Sequence, residues 1–77
     1  MILDPAQAEA LYKAIQALNE GGGQILNASF DAFVLGEAII DVCTHTDDRI
    51  ELRSADNVTE IHDDLSAFAV AYRLQAL

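Results

Sequence analysis

The spacing of apolar residues changes twice along this chain, and that change limits the fold more than any other feature. Near both ends, apolar residues recur at intervals of three and four, as on one side of a helix. Between about residues 26 and 61 they alternate with polar residues, which is typical of strands with one solvated face. The pattern predicts an α+β domain of a helix, a three- or four-stranded antiparallel sheet and a second helix, with both helices on one sheet face.

The first helix has signals at both ends. Asp4 can cap it, Pro5 fits its first turn, and Gln7 can bond back to the cap. Its apolar stripe consists of Ala8, Leu11, Ile15 and Leu18. The glycine run at 21–23 is predicted to end the helix, since a phosphate-binding glycine loop would instead follow a strand.

Alternating segments predict strands near residues 26–30, 37–45, 49–53 and 58–61. The second and third of these form a hairpin around the polar turn at 46–48. Residues 33–35 fit either a continued strand or a short helical turn that closes near Gly36, because so few positions do not reveal a period.

The last helix is predicted over residues 65–76 and is apolar on nearly every side. One stripe consists of Leu65, Phe68, Ala69 and Tyr72. A second stripe consists of Ala67, Val70, Ala71 and Leu74. A surface helix of a monomer usually keeps one polar face. The second stripe therefore predicts either the interface of a homodimer, as in a small structural or assembly protein, or burial between the sheet and the first helix.

The charge of the chain restricts its partners. Its 77 residues include 13 acidic and 4 basic side chains, for a net charge of -9. Such a surface repels phosphates and anionic lipids, so we expect no direct binding to nucleic acid or membrane. No apolar run approaches the roughly 18 residues of a membrane span, and no secretory leader pattern begins the chain. We expect a single cytoplasmic domain over residues 1–77.

Acidic residues concentrate between positions 47 and 64, where only Arg49 and Arg53 oppose them. The candidate partner-binding residues are Asp47, Asp48, Glu51, Asp56, Glu60, Asp63 and Asp64. A continuous negative surface of this kind would complement a basic protein or a nucleoprotein complex. The alternative is a solvated face that keeps the domain soluble.

Few residues suggest catalysis or metal binding. His45 and His62 are each followed by aspartates, which would form a metal site only if the hairpin turn met the start of the last helix; turn and cap roles also explain these aspartates. Asp41, Cys43 and His45 share one strand face, but residues spread along a strand do not line up as nucleophile, base and orienter. We expect no catalytic residue, no metal and no cofactor.

In its size, its charge of -9 and its acidic stretch from 47 to 64, the chain resembles the small acidic inhibitors that phages and other mobile elements encode, of which anti-CRISPR proteins are the best known. The resemblance implies a protein that binds a host defence complex. Such a protein either occupies a nucleic-acid-binding surface or blocks the assembly of subunits.

Overall fold

Two helices and four strands make up the computed structural model, which describes residues 2–20, 30–45 and 47–74. The elements are α1 (Pro5–Glu20), β1 (Phe30–Leu35), β2 (Ala38–Thr44), β3 (Ile50–Arg53), β4 (Thr59–His62) and α2 (Leu65–Ala71). The strands form one antiparallel sheet in the order β1-β2-β3-β4. The α+β fold predicted from the alternating periods is confirmed.

Helix α1 begins with the predicted capping arrangement. The Asp4 carboxylate accepts a hydrogen bond from the backbone N–H of Gln7 at 2.7 Å, and the Gln7 side chain accepts one from the N–H of Asp4 at 3.0 Å. These reciprocal bonds satisfy two donors that no helical carbonyl can reach. The side chain of Leu18, the glycine stop at 21–23 and the strand positions 26–29 lie outside the described residues.

The three hairpin turns explain where the strands end. Residues 33–35 belong to β1, and a two-residue turn that starts at Gly36, with φ of 68°, connects β1 to β2. Glycine is favoured there because it has no Cβ to clash in the left-handed region. The next two turns place Asp48 and Asn57 at φ values of 72° and 63°. Aspartate and asparagine tolerate this conformation better than most residues.

One face of the sheet carries the core. The buried cluster combines strand residues with residues from the N-terminal segment, α1 and the C-terminal region: Leu3, Ala8, Leu11, Ile15, Leu35, Ile40, Val42, Ile50, Leu52, Phe68 and Tyr72. In β2 and β3 these are alternate positions, as side chains on a single face must be. Both helices therefore pack on one face, as predicted.

Helix α2 is shorter than the sequence predicts, because it ends at Ala71 instead of continuing to residue 76. The backbone turns left-handed at Arg73, with φ of 54°. The N–H groups of Arg73 and Leu74 then bond to the carbonyls of Val70 and Ala69, which is the bonding pattern of a Schellman motif. Arginine carries no sequence signal for this turn, since glycine is the usual residue at that position.

Candidate interaction surfaces

Four aspartates lie at one end of the sheet. Because Ile50 pairs with His62, the turn that precedes β3 lies beside the residues that follow β4. Asp47 and Asp48 occupy that turn, Asp63 and Asp64 follow β4, and all four are exposed. We call these four residues the acidic end.

The single cation described at the acidic end is already engaged. The Arg49 Nε donates to both oxygens of Asp47, at 3.0 and 2.8 Å, and this hydrogen bonding lowers the pKa of Asp47. Asp64 caps α2 by accepting a hydrogen bond from Ala67 N–H at 2.7 Å. Within the described ranges, Asp48 and Asp63 form no ion pair. The acidic end therefore keeps a net negative charge.

The other three predicted partner-binding residues lie elsewhere, so the continuous surface expected over residues 47–64 is not formed. Asp56 is in the turn between β3 and β4, at the opposite end of the sheet. Glu51 points to the face that the helices leave open, where it accepts a 3.1 Å hydrogen bond from His45 Nε2. Glu60 pairs with Leu52 and points to the face that the helices cover.

Glu60 is the centre of a hydrogen-bond network. Its Oε2 accepts a hydrogen bond from the Tyr72 hydroxyl and a 2.7 Å bond from His62 Nε2, which must carry the proton because an ionised carboxylate only accepts. Its Oε1 accepts a 3.0 Å bond from the backbone N–H of Ile2. The N–H of Leu3 donates to the Tyr72 hydroxyl at 3.3 Å. The network joins the N-terminal segment, β4 and the end of α2.

The network changes the ionisation of its members. Burial raises the pKa of Glu60, but the hydrogen bonds from Tyr72 and His62 and the one from Ile2 N–H outweigh it and hold the pKa of Glu60 below its ordinary value. Burial, followed by the hydrogen bond to Glu60, raises the pKa of Tyr72. Glu60 is therefore an internal anion that three donors of its own chain hold, and its contact with a partner stays a prediction.

Acid is expected to destabilise the fold through Glu60. Because its folded-state pKa lies below its unfolded value, Glu60 stabilises the protein above about pH 4.5 and loses this effect as the pH falls through the folded-state pKa. Urea unfolding of the parent and of Glu60→Gln, from about pH 7 to about pH 3, isolates this contribution. The parent should lose more stability than the variant. Parallel curves would contradict a lowered pKa.

The face of the sheet opposite the helices, which we call the open face, exposes apolar side chains. Val34 is 73% exposed, Ile39 59% and Ile61 54%. Between them, Arg53 lies 3.9 Å from Asp41, and its guanidinium stacks 4.0 Å from the centroid of the Phe30 ring. The sequence pattern predicted a solvated sheet face and did not predict these apolar residues, because both Ile39 and Ile40 are apolar and alternation alone does not show which of them is covered.

The predicted dimer stripe on the last helix is only partly accessible. Val70 is 78% exposed, whereas Ala67, Ala71 and Leu74 are half-buried. Ala71 and Leu74 pack against the core of their own chain. A homodimer through this stripe therefore stays a prediction that depends mainly on Val70.

The residues considered for metal binding and catalysis were the two histidines, their neighbouring aspartates and Cys43. Among the described residues, no group of three or more His, Cys, Asp or Glu side chains is arranged to hold a metal ion. Cys43 is buried, which raises the pKa of its thiol, and the nearby carboxylates of Glu51 and Asp31 raise it further. A raised pKa favours the neutral thiol, which is a weaker nucleophile than the thiolate. His45 is engaged by Glu51.

Comparison with protein-family models, curated proteins and solved structures finds no match for this chain. In the part of the chain that the structure describes, no helix has the length and apolar character needed to cross a membrane.

Proposed function

We propose that this chain is a non-enzymatic protein-binding domain that docks on a basic protein surface through its acidic end. The observation that supports the proposal most directly is the register of β3 and β4, which brings Asp47, Asp48, Asp63 and Asp64 to one end of the sheet, where Arg49 is paired with Asp47. A partner with clustered Lys and Arg side chains is complementary to this arrangement. The net charge of -9 accelerates the encounter with such a partner.

The partner proposed is a nucleic-acid-processing complex of a host defence system, in the cytoplasm of the host if the chain is phage-encoded. Proteins of this class bind phosphates with Lys and Arg side chains, and a cluster of carboxylates can occupy the same basic groove. The chain would then act as an inhibitor of the anti-CRISPR kind, because it competes with the nucleic acid. Its general resemblance to small acidic phage inhibitors supports this role.

Reversing the charge of the acidic end is expected to abolish capture of the partner. The test variant is Asp47→Lys/Asp63→Lys, and the matched control is Glu37→Lys/Asp56→Lys, which changes the net charge equally at the opposite end of the sheet. All four positions are exposed, so both variants should fold. Tagged proteins are incubated with nuclease-treated bacterial lysate, and captured proteins are identified by mass spectrometry after low-salt and high-salt washes.

The expected result is a basic complex that parent and control both retain at low salt and release at high salt, and that the test variant captures at least about tenfold less. If both variants capture equally less of the complex, binding depends on total charge, and the proposal that the acidic end is the binding surface is contradicted. Equal capture by all three proteins would exclude the acidic end as the binding surface.

A further inference from the structure

The open face combines exposed apolar side chains with charges that are already paired. Three of the five exposed large hydrophobic residues in the described ranges belong to it: Val34, Ile39 and Ile61. Its two strand carboxylates, Asp41 and Glu51, contact Arg53 and His45 respectively. On a protein of net charge -9 this face is thus locally close to neutral, unlike the acidic end. Such a patch is typical of a protein-protein interface.

The register of the sheet makes this face complementary to itself. Asp41 on β2 is the direct neighbour of Arg53 on β3. In the row that contains Cys43, Phe30 lies on β1 and Ile61 lies on β4, the two edge strands. Two copies can pack with their open faces toward each other, related by a two-fold axis that lies between the two sheets. If this axis runs parallel to the strands and midway between β2 and β3, each β2 lies over the partner's β3 and each β1 over the partner's β4. Asp41 then lies over the partner's Arg53, and Phe30 lies over the partner's Ile61.

We propose that the open face is the interface of a symmetric homodimer in which two sheets pack face to face. Two-fold symmetry requires that the same patch complement itself, and the exchange of Asp41 with Arg53 satisfies this requirement. Contacts between Phe30 and the partner's Ile61 then lie at both edges of the interface, in the row next to these charges. The interface is separate from the acidic end, so each dimer presents two acidic ends.

The area of the open face limits the affinity of this dimer. Four strands spaced about 4.8 Å apart give a width of roughly 19 Å, and strands of six, seven, four and four residues give a mean length of roughly 17 Å. The projected area is therefore about 330 Å² per copy, which is below the area that stable specific interfaces bury. We expect a weak dimer that dissociates on dilution. Because both copies are acidic, salt should strengthen the dimer by screening their repulsion, whereas it weakens binding to a basic partner.

The test is sedimentation over a concentration series, for the parent and for Ile61→Lys and Val70→Lys. Both substitutions add one positive charge at an exposed apolar position, one on the open face and the other on α2. The parent and Val70→Lys should dimerise equally, and Ile61→Lys should weaken the dimer at least about tenfold, because it places an unpaired charge against the ring of the partner's Phe30. A parent that is monomeric throughout, or a dimer lost only in Val70→Lys, would overturn the proposal.

A charge exchange tests the geometry itself. Asp41→Arg alone places like charges across the two-fold axis and should weaken the dimer, whereas Asp41→Arg/Arg53→Asp restores the opposite charges and should recover it. Thermal unfolding of each variant at low concentration verifies that the monomers fold. Failure of the double variant to recover the dimer, with the fold intact, would contradict the packing of Asp41 on the partner's Arg53.

Discussion

Glu60→Ala is expected to lower the free energy of unfolding by about 3 kcal/mol. Replacing an exposed carboxylate on an acidic protein by alanine would change this free energy very little. The substitution leaves three donors without their acceptor: the Tyr72 hydroxyl, His62 Nε2 and the N–H of Ile2. A buried or half-buried donor without a partner destabilises the folded state by the full free energy of its desolvation. Urea unfolding at neutral pH measures the change.

The matched control for Glu60→Ala is Asp63→Ala, which removes an exposed carboxylate three positions along the chain and should change stability by less than about 0.5 kcal/mol. Tyr72→Phe, alone and with Glu60→Ala, completes a double-mutant cycle. The network predicts that the double variant loses much less than the sum of the two single losses. Additive losses, or equal effects of Glu60→Ala and Asp63→Ala, would show that Glu60 is not an internal anion.

Phe68→Ala is expected to have the largest effect on stability, a loss of about 3 to 5 kcal/mol. Phe68 is fully buried, and its ring centroid lies 5.1 Å from that of His62 in an edge-on arrangement and 4.9 Å from that of Tyr72. Removing the ring leaves a cavity between the core and the Glu60 network. A domain of this size has a total stability of only about 4 to 12 kcal/mol, so the variant loses at least about a quarter of it and should unfold at a clearly lower temperature.

Thermal unfolding followed by circular dichroism measures this effect, and Val70→Ala is its control on the same helix. Val70 is exposed, so the control should unfold within a few degrees of the parent. Phe68→Leu fills part of the cavity and should fall between the two. A small loss in Phe68→Ala, comparable to that of Val70→Ala, would contradict the position of Phe68 at the centre of the core.

The elements of this fold were largely predictable because each has a local cause. The Asp4 to Gln7 capping pattern predicted the start of α1, and alternation over residues 37–45 predicted the strand β2. The end of α2 was not predictable, because the left-handed turn falls on Arg73 and not on a glycine. Apolar residues after that turn extend the helical pattern in sequence, although Leu74 instead packs on the core.

The candidate site was predictable only in part. Composition indicated an acidic surface. Strand register decides which of the seven predicted residues lie at the acidic end and which lie elsewhere, and register depends on pairing between distant segments. Glu60 and Asp63 are both carboxylates of the same sequence stretch, but Glu60 is half-buried and contacts Tyr72, whereas Asp63 is exposed. The apolar open face was missed because neighbouring positions such as Ile39 and Ile40 have the same character, and only the packed structure shows which one the helices cover.

Competition with nucleic acid tests the proposed function most directly. The basic complex captured by the parent protein is titrated with a short duplex of the nucleic acid that the complex processes, at constant ionic strength, and the release of the captured complex is measured. If the acidic end occupies a phosphate-binding groove, the duplex should displace the protein, and an excess of the protein should block binding of the duplex. A complex that binds the duplex and this protein together, with neither weakening the other, would contradict the account.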